Sequence, residues 1–452
     1  MSLTRSEDRL IWLVNPWIYD FAAFDLWAKP LGLLCLATRL RRQGYRVRFI
    51  DLLDHRHPGL PRPVRRKSYG TGHYFRTPLP KPVQLADVPR SFARYGLPHH
   101  LAKEVLLAGA PPALVLVTGL MTYWYPGVWE IIRMIKGLYP QVPVVLGGVY
   151  PSLLPEHARG SGADMVLGGP AEEAVESLVI DYLGPPEGPG ERIPPYPSFD
   201  LLPALDYVCL LTSRGCPFRC RYCASRLLFP GFERRAPEEV LEEINYWHRK
   251  FGVRDFAFYD DALLVDFDNH LGPILEGVCQ QGLKVRFHTP NAFHIRLVTL
   301  EVARLMKRAG FVTLRMGFET VADGRHRALD NKVTAADLPR AVALLREAGF
   351  HPAQIGVYVL WGLPGQPLEE VRRSVEFVAA CGASPYLAEY SPIPKTALWE
   401  EACAVARYRL DEDPLFHNNS LLPCLNPIDW EEVSELKRYV RKLRVYSSRG
   451  LG

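Results

Sequence analysis

Cys216, Cys220 and Cys223 lie within eight positions of one another in SRGCPFRCRYCAS (213–225), a CxxxCxxC loop with Tyr222 directly before its last cysteine. Thiols at this density serve as a disulfide framework, a zinc site or the anchorage of an iron–sulfur cluster. The amino terminus, MSLTRSEDRLIWLVN, mixes acids with bases and lacks the basic, apolar and small-residue zones of a secretion signal, so a cytoplasmic protein with reduced thiols is expected. Structural zinc takes four ligands, commonly a second CxxC or paired histidines at short spacing. Neither follows here; the nearest downstream histidine is His248, on a predicted helix. Thiolates favour iron–sulfur clusters, and three thiolates on four irons leave one iron open to an outside ligand. The spacing therefore favours a cluster with an open corner over zinc.

The elements around this loop follow from hydrophobic periodicity. Between 184 and 197, GPPEGPGERIPPYP holds six prolines and three glycines, a density no helix or central strand tolerates, so a linker is placed at 184–198. Ahead of it, LIWLV (10–14), YRVRFID (45–51), ALVLVTG (113–119), VPVVLGG (142–148) and DMVLGG (164–169) alternate with amphipathic segments, which predicts a doubly wound parallel sheet over residues 1–183. Residues 55–110 interrupt that pattern with a proline-, arginine- and aromatic-rich stretch too long for an ordinary connection. Such an excursion either carries function or wraps a neighbouring domain.

Beyond the linker, six strand-like runs begin at 207, 255, 284, 312, 355 and 385, with helical patterns in each gap. One helix opens on Pro237 followed by acids, and another on TAAD, where Thr334 is expected to cap and Asp337 to answer it. An α/β class results, with an open (β/α)6 barrel over 199–396 and the cysteines in the loop after its first strand. In such a barrel the chemistry sits at the carboxyl ends of the strands. The tail, 397–452, holds a helix with Trp430, Val433, Leu436, Val440 and Leu443 at helical spacing behind a capping Asp429, expected as a lid or buttress.

With cysteine loop and barrel together, the second half resembles the radical S-adenosylmethionine superfamily. That resemblance implies a [4Fe-4S] cluster on Cys216, Cys220 and Cys223, with S-adenosylmethionine on the fourth iron and its reductive cleavage to a 5′-deoxyadenosyl radical. It also implies cofactor contacts at Tyr222, at Asp260 in FYDDALLVD, at Glu319 in RMGFET and at Gly362 in WGLPGQ. A carboxylate suits a ribose diol because it accepts two hydrogen bonds, and a glycine lets backbone approach a ring. For Asp260 and its neighbour Asp261, capping the next segment competes with a ligand role. SPIPKT (391–396) departs from the glycine-containing loop common in relatives.

The first half resembles cobalamin-binding domains: Thr118-Gly119-Leu120, then 26 residues, then Gly147-Gly148. Thr118, Leu120, Gly147 and Gly148 are the implied corrinoid contacts. The histidine loop DxHxxG that supplies an axial ligand in many such proteins is missing, because NPWIYDFAAFD follows the first strand. The order of the two halves resembles the cobalamin-binding branch of the superfamily, where methyl transfer to an unactivated centre is frequent. Two alternatives stay open: a cobalamin-independent radical enzyme with a degenerate first domain, and a non-catalytic metal or electron-transfer protein.

Composition bounds the partners. The longest apolar run, ALVLVTGLM, falls well short of the roughly 20 residues that span a bilayer. A net charge of +5 with short basic clusters gives no nucleic-acid footprint, which leaves a small-molecule substrate and an external electron donor. The other cysteines, Cys35, Cys209, Cys279, Cys381, Cys403 and Cys424, read as small apolar residues, with Cys424 also a candidate for the active site.

Overall fold

Leu10–Asn15 (β1), Arg46–Asp51 (β2), Leu114–Gly119 (β3), Val144–Gly148 (β4) and Met165–Val166 (β5) pair in parallel in the order β5-β4-β3-β1-β2. The computed structural model describes residues 9–170, 172–186, 188–330 and 332–449, and the chain divides into two units, Met1–Leu205 and Asp206–Gly452. Every residue of β1 and β3 is buried, because helices cover both faces and a doubly covered strand must be apolar throughout. Alternation sends Trp12, Val14, Val115 and Val117 toward helix α2 (Tyr125–Leu138), and Ile11, Leu13, Leu114 and Leu116 toward α1 (Leu31–Gln43) and α3 (Glu172–Leu183). Each fully buried Leu, Ile or Val contributes roughly 1.5–3 kcal/mol, so β1 and β3, buried along their whole length, form the strongest part of this core.

The 55–110 excursion folds over the loop that follows β1. Arg76–Pro78 and Ile18–Asp20 flank Ala93–Tyr95 in a small antiparallel sheet, and Phe24–Asp25 pairs with Gly72–His73. The helix His99–Leu107 then returns the chain to the core through Leu101, Ala102 and Leu106. The Pro/Gly-rich stretch takes no regular structure and is bound across α1. Arg41 holds Glu191 and Asp200, Thr38 donates to the Tyr196 carbonyl, and a Cβ at Gly190 would lie 1.5 Å from the Arg42 carbonyl oxygen.

In the second unit, Val208–Leu210 (β6), Asp255–Phe258 (β7), Arg286–His288 (β8), Phe311–Glu319 (β9), Ile355–Trp361 (β10) and Ser384–Glu389 (β11) lie side by side in chain order, each parallel to the next. This is the six-stranded strand–helix array expected from the sequence, with one two-residue strand, Phe293–His294, added off its path against β9. Pro237 stands in the first turn of α4 (Pro237–Phe251), with Glu238 and Glu239 beside it to meet the helix dipole. The Thr334–Asp337 pair forms, but ahead of its helix. Asp337 accepts from the Thr334 N–H and hydroxyl at 2.7 and 2.9 Å, while its own N–H donates to the Thr334 carbonyl. The pair thus closes a separate turn, and helical bonding starts only at Asp337.

The final helix, Trp430–Arg449, is capped by Asp429 and buries Val433, Leu436 and Val440. Arg444 donates to the Pro385 carbonyl of β11 and Lys437 pairs with Glu389, so the helix buttresses the last strand and covers its edge. Among the described residues no helix is long and apolar enough to cross a membrane.

Candidate functional site

The cysteine loop hangs from a short hairpin, Ser213–Gly215 against Phe232–Arg234. Gly215 has φ +79°, and a Cβ there would fall 2.0 Å from the Gly231 carbonyl oxygen, so the residue before Cys216 can only be glycine. Asp260, at the carboxyl end of β7, fixes the hairpin's root by accepting from the Thr212 N–H and hydroxyl and from the Ser213 hydroxyl, the last two at 2.7 and 2.6 Å. Further along, the Arg221 N–H donates to the Leu329 carbonyl, and the Arg221 carbonyl accepts from Leu398. The loop is therefore anchored by the hairpin and by both backbone groups of Arg221, not through its cysteines.

All three cysteines are free thiols on the wall of a cavity of about 330 Å³, shared with Tyr222, Asp261, His294, Glu319 and Lys332 among others. Lys332 is the hub. Its ammonium donates to the Cys220 Sγ at 3.5 Å, the Tyr222 hydroxyl at 3.1 Å and the Glu319 carboxylate at 3.3 Å, and it pairs with Asp330 at 3.1 Å. Burial works against its charge, but Glu319, Cys220 and Asp330 outweigh that and hold its pKa above the ordinary lysine value. Tyr222 donates its hydroxyl to Glu319 at 2.8 Å, and burial, then Glu319, raise its pKa well above the usual phenol value.

Glu319 ends β9 at φ +68°, a left-handed conformation that costs a non-glycine residue on the order of 1–2 kcal/mol. The pairing of β9 with β10 shifts register at the same point, between Gly317 and Glu319. His294 packs against Phe218 with ring centroids 4.5 Å apart and planes tilted by 34°, and both its ring nitrogens are buried and unpartnered among the described residues. Burial, then Lys332, lowers its pKa to about 4. It is a neutral ring with two unused hydrogen-bonding positions.

The thiols fit an iron–sulfur cluster. Burial pushes Cys220 up to about 12 and raises Cys216, so ionised ligands here need cations beside them, and irons supply those. The Ser225 N–H already points at the Cys223 Sγ, 3.4 Å away, as a donor to a thiolate would.

At the carboxyl edge of the first unit's sheet, Thr118 pairs with Gly147 and Gly119 with Gly148. Two short motifs far apart in sequence therefore meet at one level. Gly148 has φ +101°, and a Cβ there would lie 2.7 Å from the Gly119 carbonyl oxygen and 2.8 Å from the Thr118 Oγ1. Around Gly147 the space is open, with nothing nearer its Cβ position than the Leu167 carbonyl oxygen at 3.9 Å. Leu120 and Met121 stand exposed beside it. Ser152 pins the edge by donating to the Gly148 carbonyl while accepting from the Gly169 N–H. A floor of backbone bordered by one hydroxyl and exposed apolar side chains fits a large flat cofactor with an amide-rich rim.

Cys216, Cys220, Cys223, Tyr222 and Glu319 are thus gathered on one cavity, while two other expected contacts lie off it. Asp260 faces the hairpin root, and its neighbour Asp261 takes the place on the wall. Gly362, at φ +80°, sits under Leu422, which lies 3.1 Å from where a Cβ would stand. Cys424 is buried against the Ala402 carbonyl, away from the cavity wall. Lys332 and His294 went unnoticed in the sequence: neither belongs to a spaced motif, and the one clue was a lysine placed among the acids and amides of LDNKV.

Comparison with known proteins gives two family matches. The model described as Radical SAM superfamily matches residues 210–378, and the model described as B12 binding domain matches residues 105–179. The uncharacterized methyltransferase PH0819 of Pyrococcus horikoshii is 26% identical over 65% of this chain and 70% of its own length. The cytidylyl-2-hydroxyethylphosphonate methyltransferase of Streptomyces wedmorensis is 21% identical over 90% of this chain and 84% of its own. Among solved structures, the radical S-adenosylmethionine methyltransferase TsrM of Kitasatospora setae, with tryptophan and a cofactor analogue bound, superposes at a TM-score of 0.65 with 18% identity, covering 91% of this chain and 83% of that one.

Proposed function

Because this chain belongs to the radical S-adenosylmethionine superfamily and carries a B12-binding domain ahead of its barrel, we propose that it methylates an unactivated centre of a small molecule. The observation that carries the reading is the coexistence of two sites in one chain: a three-thiol cavity organised by Lys332 and a glycine-floored sheet edge at Thr118–Gly148. When bound, the cluster supplies the electron that splits S-adenosylmethionine, and the corrinoid carries the methyl group. Cys216, Cys220 and Cys223 hold the cluster.

Lys332 offers its ammonium to the carboxylate of S-adenosylmethionine, and Glu319, positioned by Tyr222, offers its oxygens to the ribose hydroxyls. Asp261 and His294 line the remaining wall, where they orient substrate, and Asp260 acts as a positioning residue through Thr212 and Ser213. Gly362 shapes the turn beside this pocket. Thr118, Leu120, Gly147 and Gly148 seat the corrinoid. The enzyme works in the cytoplasm on a small molecule and draws electrons from an external donor, without a membrane or nucleic-acid partner.

The test is anoxic reconstitution with cluster and corrinoid, followed by incubation with reductant and S-adenosylmethionine. Release of 5′-deoxyadenosine and S-adenosylhomocysteine is expected. A fully loaded cluster with no retained corrinoid would move the assignment to cobalamin-independent radical chemistry, and persistent absence of both products would remove the enzymatic reading.

A further inference from the structure

We propose that the cleft built by the 55–110 excursion is a binding site for a phosphate-bearing small molecule with a flat ring, the chemistry of a nucleotide. The cleft has a volume of about 680 Å³, the size of pockets that enclose such ligands. Its wall carries Arg62, Arg65, His73 and Arg76 together with Phe21 and Phe24, and no carboxylate lies among its lining residues. An ordinary solvated face intersperses acids with its bases.

The rim is built rather than loose. Arg66 turns inward to a fully buried Asp25, 2.7 Å away, and Asp25 also accepts from the Ala28 N–H. The neighbouring Arg65 is left on the cleft side, its carbonyl bonded by the His73 N–H at 3.1 Å. Gly72 closes the contact, since a Cβ there would stand 2.9 Å from the Arg65 carbonyl oxygen and the Arg66 Cα. This ion pair, with Asp25 buried, anchors the backbone beside Arg65 before any ligand arrives, so less ordering entropy is lost there on binding.

Guanidinium groups take phosphate oxygens two at a time, and a phosphate offsets their mutual repulsion. His73 meets Phe24 edge-on at 5.1 Å and is held below its usual pKa, first by burial and then by Lys67, Arg65, Arg76 and Arg66. The cleft is therefore at positive potential, with a neutral imidazole and aromatic surface beside the cations. Aromatic faces and guanidinium planes both stack on flat rings.

The inference is independent of the methyl-transfer reading and is tested without turnover. Full-length protein is titrated calorimetrically at low salt with AMP, adenosine and inorganic phosphate. AMP is expected to bind at least about tenfold more tightly than either fragment. The double variant Arg65→Gln/Arg76→Gln should lose about tenfold in AMP affinity, and Phe24→Ala should weaken AMP while leaving phosphate unchanged. Lys103→Gln, an exposed charge on the returning helix, should change nothing. An unaltered AMP affinity in the double variant overturns the proposal, as does AMP binding no tighter than inorganic phosphate, the behaviour of a diffuse basic surface.

Discussion

The thiol cavity of the barrel and the sheet edge of the first unit are built on opposite principles. The cavity is defined by side chains: three thiols on its wall, one of them bonded to a lysine that also holds a tyrosine and a glutamate. The edge is defined by their absence, as Gly147 leaves open space and Gly148 admits no Cβ. A site made of charged groups in a poorly solvated space fails when one partner is removed, whereas a site made of bare backbone fails when an atom is added. The contrast predicts which substitutions hurt in each place.

The largest effect is expected for Cys220→Ala, which should bring iron and sulfide to background after anoxic reconstitution and abolish S-adenosylmethionine cleavage; iron at the parent level would refute the side-chain half of the contrast. Next comes Lys332→Met. With its cation gone, Glu319 and Asp330 stay buried and uncompensated, a loss on the order of 3–5 kcal/mol for a broken buried pair. Anoxic thermal denaturation should report a clearly lowered transition, along with weaker S-adenosylmethionine binding. Gly148→Val adds atoms instead of removing them. Its strain, about 1–3 kcal/mol, should reduce retained corrinoid about tenfold or more by absorbance while the iron content stays at the parent value. Should this variant lose iron but keep corrinoid, the contrast collapses.

The smallest effect sharpens the comparison from within the cavity. His294→Phe keeps the packing against Phe218 but removes two unpartnered nitrogens, so the protein without ligands should gain up to about 1 kcal/mol. If bound substrate or cofactor uses that ring, the thermal shift on ligand addition shrinks in the same variant. A destabilised variant with an unchanged ligand shift would show the ring to be plain packing.

The strands β1 to β11 were legible because strands covered on both faces appear as unbroken apolar runs, as LIWLVN and LVLVTG do, whereas the two-residue parallel strand Phe293–His294 was not. The cysteine loop and the Thr118–Gly148 pair were legible because fixed spacing survives without three-dimensional information. Other features were not. Asp260 and Asp261 lie two and three residues past the end of β7, where the chain enters a turn, so which of them reaches the cavity depends on the course of that turn, which no single sequence displays. Lys332 acts through contacts with residues 13 to 112 positions away. The antiparallel module inside 55–110 is made of strands two or three residues long, too short for any periodicity to emerge.

Glu319 keeps its unfavourable backbone angle because Tyr222 and Lys332 grip its carboxylate. The tyrosine stands between two of the thiols, and the lysine touches one of them. Holding the cysteine loop and holding the end of a barrel strand are therefore one mechanical arrangement. Removing either grip, by Tyr222→Phe or Lys332→Met, should let that strand end relax toward an ordinary angle and loosen the cavity wall at Glu319.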